Sequence, residues 1–365
     1  MLRGLYTATT GMLTNNKRMD AITNNIANID TTGYKKDVVL SESFPDVLIY
    51  KLNTPVSSLT LEGEPEVEVN QERNTYQLTT TAGFFRVQAP NGISYQRELN
   101  FTINDEGYLS TYHLDADGNP DTHAGHLVLG SNGESIQVDG DLQIGQNGQV
   151  IVNGDVVDNL IFRKPLRAIG TINHGVYIDR IYVNHSQGEL YSTENDLDFA
   201  IDGRGFFRVQ VQGQEEEPDQ GIRYTRDGSF KLNNMNQLVT SEGNLVLGEN
   251  QQPIVLEGTE ITVSETGEIF VDNQPAGNLG IVSITNLHDL RKEGYNLYRM
   301  EEDMEPEFGE FTGRVLQGFL EKSNVNPIRE MVEMIQLARN YESNQRIIQA
   351  YDKILDKAIN EIGRV

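Results

Sequence analysis

The chain has 365 residues, a formal net charge of −25 and no cysteine. The missing cysteine excludes disulfides, zinc–thiolate sites and thiol nucleophiles, and the acidity disfavours nucleic acid as a ligand. No run of about 18 apolar residues occurs, so no membrane-spanning helix is expected.

The charge is unevenly spread. Residues 1–36 carry five basic and two acidic groups, net +3, whereas residues 320–365 balance at seven of each. The remaining −28 therefore falls on residues 37–319, and reads most simply as a solvated surface.

The first predicted element is a helix. Leu5, Met12, Met19 and Ile26 recur every seventh residue, with Ala8, Asn15, Ile22 and Ile29 in the intermediate position. That is a heptad seam, the pattern of a helix packed along another helix, and its single Asn suits a register-setting role. Thr7, Thr9, Thr10 and Asn15 interrupt the apolar run that a secretory signal needs. Thr31-Thr32-Gly33 reads as a turn. Residues 37–75 read as an extended linker, because Pro45, Pro55 and Pro65 discourage helix.

From about residue 78 the pattern is β, and it repeats. GFFRVQ occurs at Gly83–Gln88 and again at Gly205–Gln210. SYQRELNFTIN (Ser94–Asn104) lines up with RYTRDGSFKLN (Arg223–Asn233), HLVLG with NLVLG, and NGQVIVNGDVVDNLIF with TGEIFVDNQPAGNLGIV. Four matches in one order imply two related β units, near 76–164 and 195–285. The domains expected are an extra β domain at 76–165 and a second at 166–319. Phe84, Phe85, Phe206 and Phe207 are the expected core anchors. Asn147-Gly148, Asn153-Gly154, Asp227-Gly228 and Thr266-Gly267 are the expected turns.

Candidate chemistry in this middle region is thin. Asp115, Asp117, Asn119 and Asp121 alternate around Gly118, a spacing that aims oxygens at calcium. No bidentate Glu or flanking helix completes the loop, so an acidic hairpin tip is the simpler reading. His113, His123 and His126 lie close in sequence but flank a loop that gives them no fixed geometry as ligands. No serine sits in a nucleophile elbow, and Gly203–Phe207 opens a strand where a dinucleotide site needs a helix. No catalytic residue, cofactor or metal is assigned. Gln214–Gln220 and Glu301–Glu310 read as solvated acidic loops.

The last element is a second seam helix. Met334, Tyr341, Ile348, Leu355 and Ile362 recur at seven, with Leu337, Asn344, Tyr351 and Ala358 between them. Pro327 suits the first helical turn, and Asn324 or Asn326 suits the cap. The architecture expected is α+β: terminal helices forming a coiled-coil domain (1–36 and 320–365) around a β-rich body.

Three stretches resemble a known family. ITNNIANIDTTGYKK (Ile22–Lys36) and LEKSNVNPIREMVEMIQLARNYESNQRIIQAYDKIL (Leu320–Leu355) are similar to the terminal motifs of flagellar rod, hook and hook-associated axial proteins. Gly175–Gln210 and Tyr224–Gly243 resemble that family's β domain. The resemblance implies a structural subunit of the flagellar axis, most like the distal rod, with the hook or another hook–basal-body position as the alternative. It further implies export through the flagellar type III apparatus, residence in the basal body, self-polymerisation, and contact with other rod and hook proteins. The subunit interface would then run along Leu5, Met12, Met19, Ile22, Ile26, Met334, Tyr341, Ile348, Leu355 and Ile362. The first β unit is the departure from the rod pattern. From the residues alone, a surface-binding β protein oligomerised by its terminal helices stays open.

Overall fold

The computed structural model describes residues 2–50, 65–72, 74–114, 119–163, 168–173, 175–211, 221–258, 260–294, 296–301 and 304–362. The fold is α+β. Helix α1 spans Leu2–Ala27, and helix α2 spans Pro327–Lys357 with a π turn at Ala358–Ile362. The Asn326 carbonyl and side chain cap α2, accepting from Glu330 N and Arg329 N at 3.0 and 3.1 Å. The first is the opening bond of the helix, and the second satisfies an amide that the first turn otherwise leaves orphaned.

The chain folds into two compact units, each assembled from discontinuous stretches. One comprises Met1–Lys17, Leu40–Arg180 and Ala338–Val365, and the other Arg18–Val39 and Ile181–Leu337.

The first unit holds a seven-stranded antiparallel sheet. Its spatial order is Val67–Glu72, Thr75–Thr80, Glu98–Ile103, Leu109–Ser110, Leu127–Leu129, Phe85–Ala89, Gly92–Gln96. A three-stranded meander, Leu142–Ile144, Gln149–Val152 and Asp155–Asn159, closes over it. Phe85, Leu78, Phe101 and Val150 lie fully buried in the core between them.

The second unit repeats the plan. Phe230–Leu232, Leu238–Thr240, Leu245–Val246, Phe206–Gln210 and Ile222–Thr225 run in the same order, and Leu297–Met300 and Leu290–Glu293 extend the sheet. Its meander is Ile261–Val263, Glu268–Val271 and Gln274–Asn278. Phe207 takes the buried place that Phe85 holds in the first unit.

The duplication extends to individual bonds. Leu109 N donates to Ile136 O as Leu238 N does to Ile254 O. Leu160 N donates to Gly148 O, and Leu279 N to Gly267 O, both at 2.8 Å. The meander hairpins turn at Asn153-Gly154 and at Asp272-Asn273, all four residues with positive φ, the geometry a two-residue hairpin requires.

One expected turn is absent. Asp227-Gly228 forms no hairpin turn: Phe199 N bonds Gly228 O, and the Phe199 carbonyl presses where a Cβ would stand. The glycine serves close approach there, not reversal. Within 37–75 the described residues are extended but paired. Asp37–Ser43 runs beside Val176–Val183, and Val47–Tyr50 beside Ala168–Ile172.

Candidate assembly site

Segments far apart in sequence meet at Glu321. Its strand, Phe319–Glu321, lies antiparallel to Leu190–Ser192, with Glu321 opposite Leu190. Lys35 Nζ sits 2.6 Å from Oε1 and also donates to Ser186 O at 2.8 Å. Gly188 N donates to the same oxygen at 2.7 Å. Arg226 Nη1 reaches Oε2 at 3.3 Å and gives further N–H bonds to the Ile201 and Gly203 carbonyls. All three charged groups are buried. Burial draws the Lys35 ammonium down to about 8 against the pull of Glu321, and Arg226 lowers it further.

The N-terminal turn is fitted to this triad. Gly33 N donates to Glu321 O at 2.7 Å, and Thr32 Oγ1 donates to Asp227 Oδ1 at 2.7 Å. Gly33 has φ of +66°, and a Cβ on it would overlap the Arg226–Asp227 peptide. Only glycine meets both demands.

A second set of bonds joins the end of α1 to the start of α2. Asn25 exchanges two bonds with the Asp37 backbone, at 2.8 and 2.9 Å, and its amide lies 3.5 Å from Glu330. Lys36 pairs with buried Glu330 at 3.0 Å, and its amide donates to Asn324 Oδ1 at 2.8 Å. Asn324, one of the expected caps, is thereby a crosslink, since its amide donates to the Asn184 and Ser186 carbonyls. Next to the triad, His185 packs against the rings of Phe206 and Tyr298 at 5.6 and 5.5 Å. Neither of its ring nitrogens has a partner among the described residues. Burial, then the charges of Lys35, Arg226 and Lys292, hold its pKa down to about 3, so it stays neutral.

The two helices touch at regular intervals. Tyr351 lies over Gly4 and Asn344 over Gly11, each where a Cβ would stand; Asn25 and Glu330 continue the series. Earlier residues of α1 meet later residues of α2, so the helices run antiparallel where they touch. Ile22 and Leu337 are buried. Leu5, Met12, Met19, Ile26, Met334, Tyr341 and Ile348 are half-covered beside this line. Leu355 is exposed, and the Ile362 side chain lies outside the described residues.

Sequence periodicity did not single out another row. Ile328, Met331, Val332 and Ile335 occupy one helical face and are 75, 53, 50 and 54% exposed. Their i, i+3, i+4, i+7 spacing was a readable signal, but the longer heptad rows masked it.

Comparison with known proteins decides the family. Residues 5–35 match the family model described as flagella basal body rod protein. Residues 200–271 match the flagellar hook protein FlgE/F/G D1 domain, and residues 316–361 the flagellar basal body rod FlgEFG protein C-terminal region. The flagellar basal-body rod protein FlgG of Bacillus subtilis is 34% identical over 226 residues, which is 58% of this chain and 81% of that protein. This chain belongs to the flagellar basal-body rod and hook family.

FlgG of Buchnera aphidicola (subsp. Acyrthosiphon pisum) is 38% identical over 52% of this chain and 73% of its own length. The flagellar hook-basal body complex protein FlhO of Bacillus subtilis is 26% identical across the full length of both chains. As a member of this family, the chain is a structural component of the flagellar basal body. The three matched regions contribute Lys35, Arg226 and Glu321, one residue each, to the buried triad.

The remaining candidates fall elsewhere. Asp115 and Asp117 lie outside the described residues. Asp121 accepts from His123 N at 2.9 Å and Asn119 is exposed. Among the described residues, no group of three His, Asp or Glu is arranged to hold a metal ion.

Proposed function

We propose that this chain is a self-assembling subunit of the distal rod, polymerising through its terminal helices into a tube that transmits torque and encloses the export channel. The observation that carries this reading is the exposed apolar row Ile328, Met331, Val332 and Ile335 on α2. A contiguous apolar patch on a surface helix marks an interaction site, and in a homopolymer the partner is another copy. The predicted heptad rows then act in two ways. Within a chain they pair α1 with α2, and their half-covered edges complete the contact between neighbouring subunits. Export through the flagellar type III apparatus and contacts with other rod and hook proteins follow from the same reading. The family is structural, and no catalytic role is assigned.

A second reading, a hook–basal-body position other than the distal rod, is favoured by one observation. The similarity to FlhO runs end to end, whereas residues 76–164 lie outside all three matched family regions.

The test introduces Asp at Met331 and Ile335 together. A charge forced into an apolar interface costs several kcal/mol per site, and a polymer meets that penalty at every subunit. Monomer melting is expected to stay near that of wild type, while rod formation fails in cells lacking the native protein. Normal rods from the double variant would remove the interface assignment.

A further inference from the structure

The first β unit differs from the second at one neck. Thr111 N donates to His126 O at 2.9 Å, as Thr240 N does to Asn244 O. In sequence, residues 112–125 separate the first pair of bonded residues, where 241–243 separate the second. The longer segment is an arm whose sides, His113–Leu114 and Pro120–Asp121, pair antiparallel.

This arm is fastened to the Asp37–Ser43/Val176–Val183 ribbon through one carboxylate. Glu42 Oε2 lies 2.7 Å from His126 Nε2, and Oε1 lies 3.5 Å from His113 Nε2. Tyr177 OH donates to Oε2 at 2.9 Å. Arg180, paired with Asp179, donates to the His123 carbonyl at 3.2 Å. Both imidazoles aim at carboxylate oxygens as donors, so the cluster is a hydrogen-bonded clasp.

We propose that the arm is a pH-dependent strap, held on the ribbon while His126 is protonated and loosened as the proton leaves. A protonated His126 forms an ion pair with the Glu42 carboxylate in addition to the hydrogen bond; the neutral ring keeps the hydrogen bond alone. Glu42 stays ionised throughout, because its three donors outweigh burial. The Glu42 bond raises the His126 pKa against burial, Asp179 adds to the rise, and Arg180 opposes it. The sign follows: a raised folded pKa gives full strap stability below the free-imidazole value of about 6.5. That stability is lost as pH climbs through the folded pKa. Tyr177 also packs at a tilt against Phe44, ring centroids 5.1 Å apart, and Phe44 sits 6.3 Å from Tyr6 of α1. The clasp therefore shares a residue with the seat of the N-terminal helix.

Two measurements on the full chain test this. The His126 ring is followed by NMR from pH 5 to 9, and amide-exchange protection of the arm is compared at pH 6 and pH 8. Protection factors remove the intrinsic pH dependence of exchange. His126 is expected to titrate above about 6.5. Arm protection is expected to fall about ten-fold per pH unit across its titration, while the Phe85–Ala89 strand keeps its protection. Glu42→Gln and His126→Phe should each give weak arm protection at both pH values. Equal wild-type protection at pH 6 and pH 8, or a His126 pKa at or below that of free imidazole, overturns the proposal whether or not the variants fold. A pH-dependent arm that persists in folded Glu42→Gln overturns it as well.

Discussion

At the residue scale, three buried charges, Lys35, Arg226 and Glu321, satisfy one another. Lys35, Arg226 and Glu321 carried no periodicity, and nothing local marked them as partners. Ion pairs hundreds of positions apart are invisible until the strands that place them are known. Removing one member of a buried pair typically costs about 3–5 kcal/mol, because the survivor stays charged and unpaired. His185 makes a more specific prediction. Its folded pKa of about 3 lies below the ordinary value of about 6.5. The unfolded chain therefore binds the extra proton between those values, so stability is complete above about pH 6.5 and falls as pH drops toward 3. The slope from this one group is about 1.4 kcal/mol per pH unit. In urea unfolding from pH 4 to 7, His185→Phe is expected to show a shallower decline than wild type by that amount. Parallel curves would mean that His185 is solvated.

At the element scale, much was legible. The two terminal helices, the β duplication and the four buried Phe anchors follow from apolar periodicity, 3.6 in a helix and 2 in a strand. The glycines were not legible as contacts. Gly4 and Gly11 carry no seam position, yet Tyr351 packs over Gly4 and Asn344 against Gly11. A knob that needs a Cβ-free partner fixes register more tightly than a row of similar aliphatics, which can slip by a heptad. Gly11→Leu is expected to lower the stability of the helix pair by about 1–3 kcal/mol through overpacking, read as earlier loss of helical signal at 222 nm. Adding Asn344→Ala to Gly11→Leu should recover part of the loss. Additive losses in the double variant would show that the two positions do not meet. The absent turn at Asp227-Gly228 has the same lesson: a dipeptide that often reverses a chain served here for close backbone approach, which only the neighbour, Phe199, reveals.

At the scale of the whole molecule, composition foretold an acidic β-rich body but not units built from interleaved stretches, because contact between distant segments leaves no mark on local patterning. The charge has a consequence for the assembly proposed above. Subunits of net charge −25 repel one another, and the Debye length shrinks from about 30 Å at 0.01 M salt to about 8 Å at physiological ionic strength. Polymer yield measured by sedimentation should therefore rise over that range; a yield that falls with salt would mean attractive ion pairs dominate the contact. The buried triad adds a constraint in time. Lys35 is made early and Glu321 near the end, 286 positions later. Until the last strand is present, Lys35 and Arg226 lack the carboxylate that accompanies them out of water, and closing the second unit carries the cost of burying unpaired charge. An unfinished chain is therefore expected to be less stable in its second unit than the full chain, and the strand carrying Glu321 completes the joint.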